Sequence, residues 1–146
     1  MITFKNWKKN TFTISIDNEK INISTVYEYL RSSYWAKDRT LQQVESSIKN
    51  SLCFGMYENN SQIGFARVIT DYVTFAYLAD VFILPSHQQL GLGKWVIDTI
   101  FSIEELKNIS SWLLITNDAH KLYDRVGFVE YPYPERIMMK NDLLRR

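Results

Sequence analysis

The decisive stretch of this chain reads Val81-Phe-Ile-Leu-Pro-Ser-His-Gln-Gln-Leu-Gly-Leu-Gly-Lys-Trp95. It begins as an apolar strand, passes through a loop that contains glycine, and continues with the apolar spacing of an amphipathic helix. The first amides of a helix have no internal partner and carry partial positive charge. Glycine lets a ligand approach the backbone closely. The stretch therefore predicts an anion site, suited to a phosphate, where the helix begins.

Two common phosphate motifs do not match this stretch. A P-loop requires G-x-x-x-x-G-K-S/T, but Gln88 and Trp95 occupy the positions of its first glycine and its last residue. A dinucleotide fingerprint requires G-x-G-x-x-G, and Val96 stands at its third glycine. Lys94 opposes the helix dipole by about 0.3–1 kcal/mol unless an anion is bound nearby. The alternative is an exposed lysine that tolerates this small cost.

The pattern of the surrounding elements predicts one domain with a central sheet. The capping-box form of Thr40-Leu-Gln-Gln43 begins a helix, and Pro85 ends a long apolar strand. This order predicts an α+β (mixed α/β) domain. In chain order we predict a strand, two helices, three strands, a helix, a strand, a helix and two strands, at residues 11–16, 23–30, 40–50, 52–57, 62–70, 73–84, 91–104, 112–116, 119–126, 128–131 and 136–140.

Composition bounds the class of protein. The 146 residues, of which 46% are hydrophobic and 23% charged, suit one globular domain over residues 1–146. The formal net charge of +1 gives no global attraction to nucleic acid or to an anionic membrane, and we expect neither as a partner. With Cys53 alone there is no disulfide framework, and no apolar run approaches the roughly 20 residues of a membrane span. The cytoplasm is the expected compartment.

Two motifs in this order resemble one known family. Gln88, Gly91 and Gly93 match its pyrophosphate motif: Arg or Gln, two variable residues, Gly, one variable residue, then Gly or Ala. Downstream, Ala119-His-Lys-Leu-Tyr-Asp-Arg-Val-Gly-Phe128 matches its A-x-x-L-Y-x-x-x-G-F signature. The chain thus resembles the GNAT superfamily of acetyl-coenzyme-A-dependent N-acetyltransferases, and within it a bacterial subgroup of small proteins. The resemblance implies a twisted, mostly antiparallel sheet of six to seven strands flanked by about four helices.

The resemblance also implies the cofactor, acetyl-coenzyme A, and its contacts; we assign no metal. Two positions depart from the family pattern: Gln89 stands where glycine is frequent, and Thr116 where asparagine is frequent, with Asn117 beside it. The strand end would pair its backbone with the pantetheine arm and polarise the thioester carbonyl. The loop and first helical turn would hold the pyrophosphate. The implied cofactor residues are Val81, Phe82, Ile83, Gln88, Gln89, Leu90, Gly91, Leu92, Gly93, Lys94 and Asn117.

Direct attack of an amine on the thioester, in a ternary complex, is the implied reaction. Tyr123 is the predicted general acid, because a tyrosine of pKa about 10 stays protonated at neutral pH and can donate to a departing thiolate. Asp80 is the predicted general base, although an aspartate of pKa about 3.9 needs burial or a water relay for this role. A purely structural carboxylate is the alternative for Asp80, and Asp118 and His120 are rival bases.

The acceptor stays open at this point. Aromatic rings with carboxylates suit a cation such as a polyamine or an amino sugar, whereas Arg39 suits a carboxylated amine. A small primary amine is the leading acceptor class. A non-catalytic acyl-coenzyme-A-binding or partner-binding module and a protein or peptide N-acetyltransferase are the alternatives, and a homodimer is left open. The predicted pocket draws on Tyr34, Trp35, Arg39, Asp71, Tyr72, Phe75, Asp118 and His120.

Overall fold

The structure, a computed structural model, describes residues 2–3 and 5–141. A six-stranded sheet forms its centre, and its strands follow the order of the sequence, β1-β2-β3-β4-β5-β6. Neighbouring strands pair antiparallel except β5 and β6, which are parallel. The strands are β1 (Asn6–Lys9), β2 (Phe12–Ser15), β3 (Leu52–Glu58), β4 (Ser61–Thr70), β5 (Phe75–Ile83) and β6 (Ser111–Leu113). The helices are α1 (Ile23–Arg31), α2 (Leu41–Lys49), α3 (Leu92–Ile100) and α4 (His120–Asp124).

Side-chain caps begin the first two helices. The Asn22 side chain accepts from the backbone N–H of Thr25 at the start of α1. At the start of α2, the Gln43 N–H donates to Thr40 Oγ1 at 3.1 Å, and the Thr40 N–H donates to Gln43 Oε1 at 2.8 Å. The predicted capping box is therefore confirmed.

Both faces of the sheet are covered, so the fold has three layers. Alternation along β4 sends Phe65 to one face and Ala66 and Val68 to the other. Buried residues of α3 and α4 pack on the face that carries Ala66 and Val68, and those of α1 and α2 pack on the face that carries Phe65. The first cluster includes Ile14, Phe54, Val68, Val96, Ile100 and Tyr123, and the second includes Val26, Leu30, Val44, Cys53, Phe65 and Phe82.

The predicted fold class is confirmed, with six strands and four α-helices, but the sequence pattern missed one strand, predicted two strands that do not form and placed one helix end too late. Strand β1 was not predicted, because Trp7 is its one apolar residue; it is an edge strand that carries lysines. Residues 128–131 and 136–140 do not form the predicted strands; Pro132 and Pro134, which have no N–H to donate to a ladder, stand in the segment between them. Helix α3 ends at Ile100 rather than at 104. Within the described residues, no helix has the length and apolarity to cross a membrane.

Candidate active site

Strands β5 and β6 separate soon after they begin to pair. Residues 75–77 pair with residues 111–113, where β6 ends. Strand β5 continues to Ile83, and among the described residues no strand pairs with this part of its edge on the β6 side. No strand therefore uses the backbone groups on that side, and an extended ligand could pair with them.

A β-bulge at Asp80 redirects the side chains of β5. The register against β4 shifts between Phe65 and Arg67, and Asp80 adopts a positive φ of 54°. Leu78 faces the cluster under α3, whereas Phe82 faces the cluster under α1 and α2. Without the extra residue, strict alternation would put both side chains on the same face. The bulge thus turns the Asp80 carboxylate towards α1 and α2.

The loop between β5 and α3 leads into a helix start that has no side-chain cap. Gln89 and Gly91 have φ of 65° and 79°, in the left-handed region, and the Gln88 side chain donates to the Ile83 carbonyl at 2.9 Å. No side chain caps α3, and its first intrahelical bond runs from Trp95 N–H to the Gly91 carbonyl. The amides of residues 92–94 precede that bond and have no helical partner.

Open space lies in front of this helix start. A Cβ added at Gly91 would meet nothing within 4 Å, and one added at Gly93 would meet only Cγ1 of Ile83, at 3.9 Å. Gly91 needs glycine for its positive φ, but packing does not require glycine at position 93. A helical glycine costs about 1 kcal/mol relative to alanine, so this open cradle suits a ligand that touches the backbone. The donors and the space fit the pyrophosphate of coenzyme A.

Asp80 lies in a buried ion cluster. Its Oδ2 accepts from Arg39 Nη1 at 2.6 Å and from Arg67 Nε at 2.9 Å, and its Oδ1 accepts from Trp35 Nε1 at 2.9 Å. The Arg67 Nη1 donates further to Ser51 Oγ at 3.1 Å. Burial alone would raise the pKa of Asp80, but the Arg67 and Arg39 guanidinium groups outweigh burial and hold this pKa below its usual value. A carboxylate held in this way is a weak proton acceptor.

Tyr123 is the buried residue of α4. Its ring packs edge-on against Phe128. Burial, with the nearby groups of Tyr34 and Asp118, raises the pKa of Tyr123 to about 12. Among the described residues no hydrogen-bond partner is found for its hydroxyl. The phenol is therefore protonated at neutral pH and free to donate.

Tyr34 links the two sides of the site. Its hydroxyl accepts from the Asn117 N–H at 3.4 Å, and its ring lies edge-on to Trp35, with the ring centres 5.2 Å apart. The contact joins the α1–α2 segment to the β6–α4 segment. Thr116, where the family often has asparagine, uses its hydroxyl to accept from Ala119 N–H at 3.1 Å before α4. The Thr116 side chain is thus engaged in a hydrogen bond within the protein.

The predicted pocket residues fall into two groups. Tyr34, Trp35 and Arg39 meet Asp80 or Asn117, as described above, and Asp118 lies near Tyr123. Asp71 instead closes the β4–β5 turn, where its carboxylate accepts from the N–H groups of Val73 and Thr74. The first residue of β5 after this turn, Phe75, lies five residues before Asp80, about 17 Å away at roughly 3.3 Å per residue. Tyr72 and Phe75 share that end of the strand, and His120 and Lys94 are exposed.

Two residues of the site carried no predicted role. Arg67 completes the Asp80 cluster, and its signal is a charged residue within the otherwise apolar strand β4. Tyr29 stacks on Phe82 with ring centres 4.0 Å apart, and lies 6.4 Å from Trp35. Its helical position alone does not distinguish it from other core-facing residues of α1.

Comparison with known proteins agrees with this arrangement. The profile of the acetyltransferase (GNAT) domain matches residues 49–130. A crystal structure of a GNAT-family protein from Xanthomonas campestris pv. campestris is similar with a TM-score of 0.86 and 40% identity, covering 89% of this chain and 92% of that chain. A protein of Gibberella zeae with the name of an acetyltransferase is 28% identical over 149 aligned positions, covering 87% of this chain and 84% of the relative.

A third relative has a named acceptor. The ribosomal protein bS18-alanine N-acetyltransferase of Haemophilus influenzae is 35% identical over 91 residues, covering 54% of this chain and 60% of that protein. The family profile covers more than half of the chain, and the Xanthomonas campestris structure is similar over most of it. The chain therefore belongs to the GNAT family and is an acetyltransferase.

Proposed function

We propose that this protein transfers the acetyl group of acetyl-coenzyme A to a primary amine of a small molecule, by direct attack in a ternary complex. One observation carries the proposal: the edge of β5 that no strand covers leads, through the loop of residues 84–91, to the uncapped start of α3. An extended arm with a phosphate group at one end fits such a surface. Acetyl-coenzyme A, when bound, supplies the acetyl group as a thioester.

The residues proposed to hold this group lie along one path. The backbone of Val81, Phe82 and Ile83 would pair with the extended arm, and one of these amides would polarise the thioester carbonyl. The loop and first helical turn, residues 88–94, would hold the pyrophosphate, with Lys94 exposed beside it. Asn117 would contact the arm from the β6 side, where its N–H already meets Tyr34.

Tyr123 is the proposed general acid. Its hydroxyl is protonated at neutral pH because its pKa is raised to about 12, and it donates to no described residue. As the amine nitrogen bonds to the acetyl carbon and the carbon–sulfur bond breaks, Tyr123 would give its proton to the sulfur. The amine must lose a proton as well, since an alkylammonium has a pKa near ~10.

We propose that a group other than Asp80 takes the proton that the amine loses. The role of Asp80 as base stays a prediction, and its two arginine partners weigh against it. We propose that Asp80 is a positioning residue that fixes Trp35 and Arg39 beside the site. Asp118 and His120, both exposed on the β6–α4 side, stay as candidate bases, with direct release to water as the third route.

A screen with acetyl-coenzyme A and a panel of small amines tests this function, with free thiol release and the mass of the product as readouts. We expect time-dependent thiol release that requires an amine. Calorimetric binding of coenzyme A without turnover on any amine or peptide would contradict the proposal and favour a binding module. Similarity to the Haemophilus influenzae enzyme supports a second candidate, a protein N-terminal acetyltransferase. Peptides with free N-termini therefore belong in the panel.

A further inference from the structure

The ion cluster around Asp80 carries more positive than negative charge. Arg39 and Arg67 both bond to the same carboxylate oxygen, at 2.6 and 2.9 Å. One aspartate neutralises one of the two guanidinium groups, and the described contacts of these arginines include no second acid. The Asp80 side chain is only 1% exposed, so solvent screens this charge less than it would at the surface. An excess positive charge of this kind attracts an anionic group.

Arg39 is the arginine that can reach a ligand. Its side chain is 30% exposed, against 8% for Arg67. Among the described residues, Arg39 makes its one hydrogen bond through Nη1, which leaves Nε and Nη2 without a protein partner. Arg67 already uses Nε and Nη1, for Asp80 and Ser51. A guanidinium with two free donors in a rigid fork suits a carboxylate.

The cluster also orders this arginine before a ligand arrives. The bond to Asp80 pins the guanidinium, so binding would cost less side-chain entropy than it does at a free surface arginine. Trp35 bonds to the same aspartate, and its ring lies near those of Tyr34 and Tyr29. Tyr34 in turn contacts Asn117 beside the proposed acetyl site. The fork therefore lies next to an aromatic wall that leads to that site.

We infer that the acceptor is a primary amine that also carries a carboxylate, and that Arg39 binds this carboxylate through its free donors. The inference rests on the proposed small-molecule function and narrows the acceptor class. Polyamines, whose charge is positive throughout, are disfavoured by the excess charge of the cluster. Trp35 and Tyr34 would cover the apolar body of the acceptor.

Matched acceptor pairs test this inference on the wild-type protein. Each amino acid or ω-amino acid is compared with its amide and with the amine that lacks the carboxyl group, and diamines form a separate arm. We expect kcat/KM to be about tenfold to hundredfold higher for the carboxylated member of the best pair, the range for a hydrogen bond to a charged group. Thermal shift of the coenzyme-A-saturated protein gives a second readout, in which the carboxylated amine alone should raise Tm.

Variants then assign the preference to Arg39. Arg39→Met should raise KM for the carboxylated acceptor at least tenfold, with little change for its amide, and Arg39→Lys should restore part of the preference. Arg31→Met is the matched control, because Arg31 is an exposed arginine of α1 whose partner Glu28 is also exposed. If Arg39→Met does not fold, the wild-type pairs and Arg39→Lys still decide the question.

The possible outcomes distinguish a failure of the carboxylate inference from a failure of the proposed acetyltransferase function. Turnover of both members of every pair at equal kcat/KM, or a preference for diamines, would overturn the carboxylate inference and leave the acetyltransferase function standing. A preference that Arg39→Lys and Arg39→Met leave intact would overturn the role of Arg39. Absence of turnover with every amine would overturn the proposed small-molecule function, and this inference would then fail with it.

Discussion

The Nε of Arg67 lies 2.9 Å from Oδ2 of Asp80, and the two side chains are 8% and 1% exposed. The pair crosses from β4 to the bulge of β5, where the strand leaves its regular register. Removing one partner of a buried ion pair leaves an uncompensated charge in a poorly solvated place, which costs about 3–5 kcal/mol. The contact is therefore a stability determinant at the edge of the candidate active site.

Replacing Asp80 should destabilise the fold strongly. We expect Asp80→Asn to lower the free energy of unfolding by about 3 kcal/mol, measured by urea denaturation. Asparagine is chosen because it tolerates the positive φ at this position. Asp98→Asn is the control, since its pair with Arg125 is exposed and is worth at most about 1 kcal/mol. Equal losses in the two variants would show that burial of the Asp80 pair adds nothing.

Acid should remove the contribution of Asp80. A carboxyl whose folded pKa is lowered stabilises the fold fully above its unfolded pKa, about 3.9 for aspartate. That stabilisation is lost as the pH falls through the folded value. The difference in unfolding free energy between wild type and Asp80→Asn should therefore be constant at neutral pH and shrink below about pH 4.

Taking the difference between wild type and Asp80→Asn removes the contributions of the other acids to the pH dependence of stability. The pKa values of Glu58, Asp71 and Glu105 are lowered too, by bonds to His87, Thr74 and Lys5 respectively, but wild type and variant share them. Urea denaturation in steps of pH gives the difference directly. A difference that stays constant down to pH values well below 3.9 would mean that Asp80 is not the group that titrates.

The open start of α3, which is the proposed pyrophosphate site, has a local geometry that could be predicted because its determinants are consecutive in the chain. Pro85, Gly91 and Gly93 define a strand end, a left-handed turn and an open helix start without any distant contact. The same locality made the capping box of α2 predictable. What the local pattern missed there is the left-handed φ of Gln89, which supplies a conformation that glycine favours.

The ion cluster could not be predicted, because its members meet only in the fold. Trp35, Arg39 and Arg67 lie 45, 41 and 13 residues from Asp80 in sequence. They converge because the bulge turns Asp80 towards the α1–α2 segment, and no apolar pattern around Asp80 announces a bulge. The turn role of Asp71, by contrast, had a local signal: aspartate at the start of a short strand connection accepts backbone N–H groups.

Cys53 should be unreactive in the folded protein. Its side chain is fully buried and its Sγ lies 3.5 Å from the Ile48 carbonyl, and burial raises the pKa of its thiol to about 12. Since the thiolate is the reactive form, a chromogenic disulfide reagent should detect no thiol at pH 8 and one thiol per chain in denaturant. Stoichiometric reaction of the native protein would contradict this. An unreactive Cys53 also means that the protein itself adds no thiol signal to the assay that measures thiol release.

Gly93→Ala should separate stability from cofactor binding. The new methyl group meets only Ile83, at 3.9 Å, and alanine is better than glycine in a helix by up to about 1 kcal/mol. The free energy of unfolding should therefore rise or stay level, and coenzyme A should still bind, because the motif accepts alanine as well as glycine at this position. In Gly93→Glu a carboxylate at the proposed pyrophosphate site would repel the phosphates, and calorimetry should show at least tenfold weaker binding of coenzyme A, a loss of about 1.4 kcal/mol.

A matched change on the same helix controls for this result. Asp98→Ala alters an exposed residue of α3 away from its first turn, and coenzyme A should bind to that variant as it does to the wild type. Unchanged binding of coenzyme A to Gly93→Glu would place the pyrophosphate elsewhere. A large loss of stability in Gly93→Ala would instead show that the glycine serves packing.

Tyr123→Phe should remove catalysis and leave the fold intact. The hydroxyl has no hydrogen-bond partner among the described residues, and phenylalanine keeps the ring on Phe128, so the free energy of unfolding should change by less than about 1 kcal/mol. Loss of a general acid lowers kcat by about 100-fold or more. The Kd for coenzyme A should stay within about twofold of the wild-type value, where a tenfold change would correspond to 1.4 kcal/mol. The reason is that the proposed cofactor contacts come from residues 81–83, from residues 88–94 and from Asn117, and the substitution changes none of them.

Tyr131→Phe is the matched control for the loss of a phenol, since Tyr131 is exposed and its ring meets only Tyr133 among the aromatic contacts described. Its kcat should equal that of the wild type. Unchanged kcat in Tyr123→Phe would remove Tyr123 from the reaction and leave the thiolate to be protonated by water. A fall in kcat of equal size in both tyrosine variants would point to a general defect rather than to proton donation. Only a fall confined to Tyr123→Phe, with coenzyme A binding intact, identifies this hydroxyl as the acid.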